Sequence, residues 1–258
     1  MSALVRRRIV AGALAASVVF GLAACAPERA PLVEPVPTVT EAAPLPAPVP
    51  KEKQFFDKSM YSIDDPLSPW VVNDKLRPLN PINYVPPDMV QAQVRYISAP
   101  MMRPAAAAAI VELFAAAESE GGGTMQVQNS YRSFDTQTRI YNRSLATNGQ
   151  ATADTLTARP GHSEHQTGWT ADVASYPSKC DIQACFADTP QGTWLGQNAW
   201  RFGFIIRYPQ GKTDVTGYVY EPWHIRYVGI ELSTEMHNTG IQTMEEFFGL
   251  PPAPSYAP

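Results

Sequence analysis

The sequence has little of several features that mark large protein classes: only three cysteines, four histidines and 17% charged residues among 258. Beyond the N-terminus it has no block of lysine and arginine, and the net charge is −4, which argues against a nucleic-acid partner. It has only one long apolar run, so a multi-pass membrane protein is excluded. Hydrophobic residues make up 45% of the chain, a proportion typical of a globular protein.

The N-terminus resembles a bacterial lipoprotein signal. Three arginines at positions 6–8 precede 16 apolar or small residues at 9–24, and the sequence Leu-Ala-Ala-Cys ends at Cys25. We predict cleavage after residue 24 and lipidation of Cys25, with an ordinary cleaved signal or an uncleaved anchor as alternatives. An anchor is disfavoured because a 16-residue helix spans about 24 Å, less than the roughly 30 Å of a bilayer core.

Cleavage there removes three arginines and no acidic residue, so the net charge falls from −4 to −7. Such an acidic protein does not bind anionic lipid through its charge, and the acyl chains must hold it to the membrane. We therefore expect it outside the cytoplasm, lipid-anchored to the outer face of the cytoplasmic membrane.

Proline divides the rest of the chain into three parts. Residues 26–53 contain eight prolines, a composition that favours extended conformations, so residues 25–53 are interpreted as a lipidated cysteine followed by a stiff tether. Residues 251–258 are interpreted as a short proline-rich tail. One domain is expected between them, at 54–250.

The two remaining cysteines, Cys180 and Cys185, are separated by four residues. Export would place them where disulfides persist, so we predict that they pair and close a surface loop. The alternatives are two free thiols or half of a metal site. No further cysteine is present to complete a cysteine zinc site once Cys25 carries lipid.

Hydrophobic periodicity predicts strands and helices that are mixed irregularly, which favours an α+β fold over regular βαβ winding. Predicted strands cover 70–72, 125–129, 170–174, 204–208 and 218–227, the last interrupted at Pro222. Predicted helices cover 104–120, 134–145, 193–201, 230–237 and 244–248, the second ending near the Asn-Gly pair at 148–149.

Two histidines lie near acidic residues in a pattern that suits a metal. His165 precedes Asp172, and His224 lies in a Glu-Pro-Trp-His segment. Two imidazoles and a carboxylate are an open zinc set, with the fourth position left for water. A carboxylate on a buried strand needs a compensating charge, which a metal supplies. On spacing alone, a structural role for these histidines is equally acceptable, and His162 and His237 are interpreted as structural or surface residues.

Glu221 is the candidate general base because it lies three residues before His224. Positions i and i+3 of an ideal strand point to opposite faces, so both can serve one site only if the strand bends between them. Pro222 supplies such a break, since proline cannot donate to a sheet ladder.

These residues fall in four motifs that resemble the VanY-type D-alanyl-D-alanine carboxypeptidases, zinc peptidases of the cell wall with the Hedgehog-like peptidase fold. The matches are Ser163, His165 and Asp172; Glu221, Trp223 and His224; Tyr131, Arg132, Ser133 and Gln137; and Arg207, Tyr208 and Pro209. The motifs occur in the expected order, and the likeness covers roughly residues 70–250. It implies a single domain with a small central antiparallel sheet flanked by helices.

The resemblance also implies a role for each residue. One Zn²⁺ per chain would be bound by His165, Asp172 and His224, and Glu221 would move the proton of the attacking water. Arg132 would bind a substrate carboxylate, with a surface salt bridge as the structural alternative. Further substrate-binding positions would be Ser133, Gln137, Ser163, Tyr208 and Trp223. A turn hydroxyl, a packed strand aromatic and a packed indole are the structural alternatives for Ser163, Tyr208 and Trp223.

The function implied is removal of the C-terminal D-alanine from peptidoglycan stem peptides by a zinc D,D-carboxypeptidase that we expect to be a monomer. An L,D-carboxypeptidase shares every motif, and an endopeptidase is a further alternative. A catalytically silent wall-binding lipoprotein is less favoured because no ligand and no base is missing from the sequence. A lipoprotein solute binder would need a longer, two-lobed chain.

Overall fold

The structure is a computed structural model that describes residues 55–257. The predicted signal peptide and the whole of the predicted tether, including Cys25, lie outside these residues. The described chain forms six strands and six helices, with three short 3-10 turns at Glu164–Thr167, Ala184–Asp188 and Ala199–Phe202. The strands are β1 (Val90–Gln91), β2 (Met101–Met102), β3 (Met125–Asn129), β4 (Thr170–Ser175), β5 (Phe204–Ile206) and β6 (His224–Tyr227). The helices are α1 (Pro104–Ser119), α2 (Phe134–Leu156), α3 (Pro190–Asn198), α4 (Thr213–Thr216), α5 (Ile230–Thr239) and α6 (Met244–Phe248).

Four of the strands form the central sheet, in the order β3-β4-β6-β5, with every neighbouring pair antiparallel. Strands β1 and β2 form a separate antiparallel pair. The α+β architecture with a small antiparallel sheet is therefore confirmed.

The two faces of the sheet carry different side chains because successive residues of a strand alternate. Ala171 and Val173 of β4 and Ile225 of β6 belong to the main hydrophobic core. Asp172 and His224, the intervening residues, lie directly opposite each other across the two strands. One face of the sheet is thus available for packing, and the other presents polar side chains to a site.

Helix α1 covers the core face of the sheet. Proline is tolerated at its first position because the N–H that proline lacks would have no partner within the helix there. Three consecutive glycines follow the C-terminal end of the helix. Its buried residues are Ala106, Ala107, Ile110, Leu113, Phe114 and Ala117. Helix α3 contributes Trp194 and Leu195 to the same core. Helices α5 and α6 pack in a second hydrophobic cluster, with Trp70 and Ile205.

Three strand predictions need correction. Residues 70–72 are buried but form no strand in the described structure; Trp70 instead donates its indole N–H to the Val228 carbonyl at 2.7 Å. The apolar side chains of this segment correctly indicate that it is buried, but a buried segment need not pair as a strand. The predicted strands at 204–208 and 218–227 are shorter, ending at Ile206 and beginning only at His224. The segment directly before His224 is a turn.

Two helix predictions also need correction. Helix α2 was predicted to end near Gly149, but helical structure resumes after that residue, whose φ of 75° makes a kink, and continues to Leu156. The second segment is tied back by the Tyr141 hydroxyl, which donates to Asp154 at 2.8 Å. Helix α3 begins at Pro190 rather than at 193, because Thr189 caps it by accepting from the Gly192 N–H.

The proline-rich segment after residue 250 packs against the domain. Ala253 is fully buried, and its N–H donates to the Val215 carbonyl at 2.8 Å. The Tyr256 hydroxyl accepts from the Arg159 N–H at 2.8 Å. Over residues 55–257, no helix combines the length and the apolar character that crossing a membrane requires.

Candidate active site

The register of the sheet brings three predicted ligands together. Asp172 on β4 pairs with His224 on β6, and His165 lies in the 3-10 turn that precedes β4. One ligand atom from each of the three residues lies within 4.8 Å of the other two. Gly168 ends the turn with a φ of 74°, a conformation that suits glycine, and so allows the chain to enter β4 directly after His165.

The distances within this cluster are short enough for one metal ion to contact all three residues. Nε2 of His165 lies 3.3 Å from Oδ2 of Asp172, and Nδ1 of His224 lies 3.3 Å from the other oxygen, Oδ1. Within the described chain, Oδ1 of Asp172 is buried and has no hydrogen-bond partner, which is costly unless a cation binds there. The donor set of two nitrogens and one oxygen is one that zinc prefers.

A polar group on the far side of each ring indicates which nitrogen faces the cluster. Nδ1 of His165 lies 2.6 Å from the Ser130 carbonyl, which can only accept, so that nitrogen carries the hydrogen and Nε2 is the ligand. His224 is oriented the other way: Nδ1 faces Asp172, while Nε2 faces Glu164 at 3.6 Å. The two rings meet nearly edge to face, with centroids 5.0 Å apart.

The environment acts in opposite directions on the two histidines of the cluster. Burial by itself would lower the pKa of His224, but its contacts with Asp172 and Glu164 and the charge of Glu221 raise it to about 9. Burial lowers the pKa of His165 in spite of the opposing charge of Asp172. Burial opposes ionisation of Asp172 as well, yet the two histidines hold its pKa well below its usual range. Asp172 is thus ionised, as a carboxylate ligand of a metal requires.

Glu221 reaches the cluster through a turn and not through a bent strand. The His224 N–H donates to the Glu221 carbonyl at 3.1 Å, and the Glu221 N–H donates to the Tyr208 carbonyl at 3.0 Å. This turn places Oε2 of Glu221 3.4 Å from Nδ1 of His224. Burial, together with repulsion from Asp172, raises the pKa of Glu221 to about 7 in spite of the opposing effect of His224. A carboxyl group with such a pKa exchanges protons readily near neutral pH.

Arg132 lies at the edge of the same cluster, with Nη2 4.0 Å from Oδ2 of Asp172. Its Nη1 donates to Oε1 of Gln137 at 2.8 Å. Gln137 is fully buried on α2, and its Nε2 donates to Thr157 and Ala158, so it holds Arg132 and does not face the cavity. Ser133 caps α2 by accepting from the Thr136 N–H at 3.2 Å. Neither side chain lines the cavity, and the substrate contacts predicted for Gln137 and Ser133 stay predictions.

These groups line a cavity of about 530 Å³. Of the predicted site residues, the cavity wall contains Arg132, Ser163, His165, Asp172, Tyr208, Glu221, Trp223 and His224. Tyr208 packs against His224, with ring centroids 4.7 Å apart, and Trp223 is also part of the main core. Both aromatic residues therefore have the packing role given as their structural alternative, and both also line the cavity.

Sequence reasoning missed one residue of the site, Glu164. Its Oε1 accepts from Arg207 at 2.8 Å and from Arg226 at 2.7 Å, and Arg207 also pairs with Glu245. All four side chains are fully buried. Burial opposes ionisation of Glu164, but Arg226 and Arg207 hold its pKa well below the usual range. Its remaining oxygen faces Nε2 of His224.

The other two histidines lie outside the cluster, as predicted. His162 contacts the Asp74 carbonyl through Nδ1 at 2.7 Å, and His237 stacks on Trp200. The predicted disulfide between Cys180 and Cys185 is confirmed, with Cα atoms 5.6 Å apart.

The sequence matches the family described as VanY, D-alanyl-D-alanine carboxypeptidase, over residues 99–230. It is 39% identical to YodJ of Bacillus subtilis (strain 168) over 173 residues, which are 65% of this chain and 63% of YodJ. It is also 39% identical to a D-alanyl-D-alanine carboxypeptidase of Enterococcus faecium over 129 residues, 50% of this chain and 38% of that enzyme. The chain thus spans less than two thirds of either relative.

Two solved structures have the same fold. The LdcB LD-carboxypeptidase, whose structure addresses peptidoglycan recognition, is 36% identical with a TM-score of 0.66, covering 71% of this chain and 87% of LdcB. The D,D-pentapeptidase VanY of a VanB-type vancomycin resistance cassette, solved in complex with Zn(II), is 30% identical with a TM-score of 0.58, covering 69% of this chain and 97% of that protein.

Proposed function

Because this chain belongs to the VanY D-alanyl-D-alanine carboxypeptidase family, we propose that it is a zinc carboxypeptidase that removes the C-terminal D-alanine from peptidoglycan stem peptides. The observation that carries this proposal is the meeting, in one cavity, of a metal-binding triad, a proton-exchanging carboxyl group and a guanidinium group. Those three parts match the needs of a hydrolase that recognises a free carboxylate.

His165, Asp172 and His224 would hold the metal. When bound, zinc polarises a carbonyl group and lowers the pKa of water, which is the chemistry that amide hydrolysis needs. Glu221 takes the proton from the attacking water and passes it to the amine of the departing residue. Burial raises its pKa above that of an ordinary glutamate, which makes Glu221 a stronger proton acceptor.

Arg132 binds the C-terminal carboxylate of the substrate in this mechanism. Its guanidinium can form two parallel hydrogen bonds with a carboxylate, and Gln137 fixes the orientation of the group from behind. Because Arg132 lies within 4.0 Å of a predicted metal ligand, the bound carboxylate would lie close to the reacting bond. Such an arrangement favours removal of a single terminal residue.

Arg132→Met should raise KM for a peptide with a free C-terminus by about 10- to 100-fold, since a hydrogen bond to a charged group contributes about 1.5–3 kcal/mol. An otherwise identical peptide amide should be a poor substrate for wild type, and the variant should discriminate little between the two. Arg143→Met, which removes an exposed arginine of α2, is the control. Unchanged discrimination in the Arg132 variant would contradict the assigned role.

We propose D,D specificity, supported by the family description and by the E. faecium relative. The likeness to LdcB favours L,D specificity as the second candidate. The two activities differ in whether the residue before the cleaved bond is D or L, which depends on the shape of the pocket.

The test is metal content together with turnover of two stem peptides, one ending in D-Ala-D-Ala and one ending in a single D-Ala. One zinc per chain and release of D-alanine from the first peptide would support the D,D proposal. Release from the second peptide alone would keep the mechanism and change the specificity to L,D. Zinc without turnover of either would point to an endopeptidase or a binding protein, and absence of zinc would overturn the ligand assignment.

We also propose that Cys25 is lipidated and anchors the protein to the outer face of the cytoplasmic membrane. The arginines, the apolar run and the small residues before Cys25 support this proposal. Cys25→Ser should move the protein from the membrane fraction to the soluble fraction on cell fractionation. Retention of the variant in the membrane fraction at the wild-type level would argue against lipid attachment at this residue.

A further inference from the structure

The cavity has a polar part and an aliphatic part. The polar part contains the metal triad, Glu221 and Arg132. The aliphatic part consists of four side chains that are each between 36% and 50% exposed: Ile140, Leu156, Ile182 and Val219. Exposed aliphatic groups that line a cavity beside polar groups are typical of a ligand pocket in which an apolar part of the ligand is bound.

Ile182 differs from the other three in its backbone. Its φ is 52°, and that of Cys180 is 59°; among residues 55–257 these are the only positive φ values outside glycine. A β-branched residue rarely adopts this conformation, because its side chain crowds the backbone. Such a conformation persists only where the surroundings enforce it, and it occurs most often at functional sites.

The surroundings of Ile182 are a short loop that is fixed at both ends. The Cys180–Cys185 disulfide closes it, and the Gln183 N–H donates to the Cys180 carbonyl at 3.2 Å. On the C-terminal side, Phe186 is fully buried in the main core. On the N-terminal side, the Ser175 hydroxyl of β4 donates to the Lys179 carbonyl at 2.9 Å. The disulfide loop, residues 180–185, therefore presents Ile182 to the cavity from a fixed frame.

We propose that Ile182 is a specificity-determining residue that contacts an aliphatic side chain of the substrate on the acyl side of the cleaved bond. This inference rests on the proposed function. The departing residue, with its carboxylate on Arg132, carries only a methyl group, which is too small to contact four aliphatic side chains. The hydrocarbon that these side chains can bury therefore belongs to a residue upstream of the cleaved bond, such as the methylene chain of a diamino acid.

The test compares two peptides that differ only upstream: diacetyl-L-lysyl-D-Ala-D-Ala and acetyl-glycyl-D-Ala-D-Ala, or the corresponding single D-Ala peptides if wild type is L,D-specific. Ile182→Ala should lower kcat/KM for the lysyl peptide by about 5- to 20-fold, mostly by raising KM. It should change kcat/KM for the glycyl peptide by less than about twofold. Ile182→Val should retain most of the preference. Ile230→Ala, at an isoleucine that is 55% exposed and outside the cavity, is the matched control.

Cys180→Ser combined with Cys185→Ser should reproduce the selective loss, because the released loop no longer holds Ile182 in place. Circular dichroism would show whether that double variant is folded; if it is not, Ile182→Ala decides. If Ile182→Ala lowered kcat/KM equally for both peptides, or for neither, the inference would be overturned and the proposed function would remain intact. No turnover of any peptide by wild type would overturn the proposed function and this inference with it.

Discussion

Glu221→Gln should lower kcat by about 10²- to 10⁴-fold on the better of the two stem peptides, while one zinc per chain remains bound. The amide has the shape of the carboxyl group but cannot accept the proton of the attacking water. The three ligand atoms come from other residues, so the metal site should survive. KM should change little, since the substitution leaves intact the substrate-carboxylate contact proposed for Arg132.

The measurement combines steady-state kinetics with metal analysis of the same protein samples. Glu112→Gln, at an exposed glutamate of α1, controls for the loss of one negative charge and should leave kcat within about twofold. Turnover by Glu221→Gln at the wild-type rate would mean that another group accepts the proton. Loss of zinc from Glu221→Gln would instead make Glu221 a ligand, against the three-residue set that the geometry supports.

The ligand triad could be predicted from sequence because each member leaves a local trace. His165 lies in a turn seven residues before Asp172, Asp172 lies in the strand that follows, and His224 begins another strand. Hydrophobic periodicity placed Asp172 and His224 within predicted strands, and the motifs identified the three residues as candidate ligands. What brings the triad together is the pairing of β4 with β6, which depends on the whole sheet and was supplied by the resemblance rather than by periodicity.

The site residue that escaped prediction has no such local trace. Glu164 is 43 residues from Arg207 and 62 from Arg226, so nothing in its own neighbourhood indicates that two buried arginines neutralise it. For the same reason, the motif placed Gln137 near Arg132 but did not show that Gln137 binds Arg132 from the side away from the cavity. Sequence patterns located the chemistry, whereas the direction in which each side chain points follows from the packing of distant segments.

Of the substitutions proposed here, Glu164→Gln should lower the free energy of unfolding the most. Arg226 has Glu164 as its only carboxylate partner within residues 55–257, and both side chains are fully buried. Removing one member of a buried ion pair leaves an uncompensated charge and lowers the free energy of unfolding by about 3–5 kcal/mol. Urea titration in chelating buffer would measure this, because the metal then adds no stability of its own.

The matched control is Glu120→Gln, since Glu120 pairs with Arg201 at 2.7 Å on the surface, where both side chains are more than a third exposed. That change should leave the free energy of unfolding nearly unchanged, because exposed ion pairs contribute little to stability. A second control removes both charges of the buried pair: Glu164→Gln combined with Arg226→Met should be more stable than Glu164→Gln alone, because no charge is then left unpaired. A double variant less stable than the single one would show that the charge of Arg226 is not the cause.

Glu164 and Glu221 approach the same imidazole from opposite sides, and their substitutions should therefore separate metal binding from proton transfer. Glu164 lies 3.6 Å from Nε2 of His224, the nitrogen that faces away from the cluster, whereas Glu221 lies 3.4 Å from Nδ1. A carboxylate behind a ligand histidine orients the ring and makes it a better donor, and its loss typically weakens metal affinity about 10- to 100-fold. Glu164→Gln should thus lose activity at limiting zinc and regain most of it at saturating zinc. Glu221→Gln should stay inactive at every zinc concentration, and if both variants responded to zinc in the same way, the two roles assigned here would be wrong.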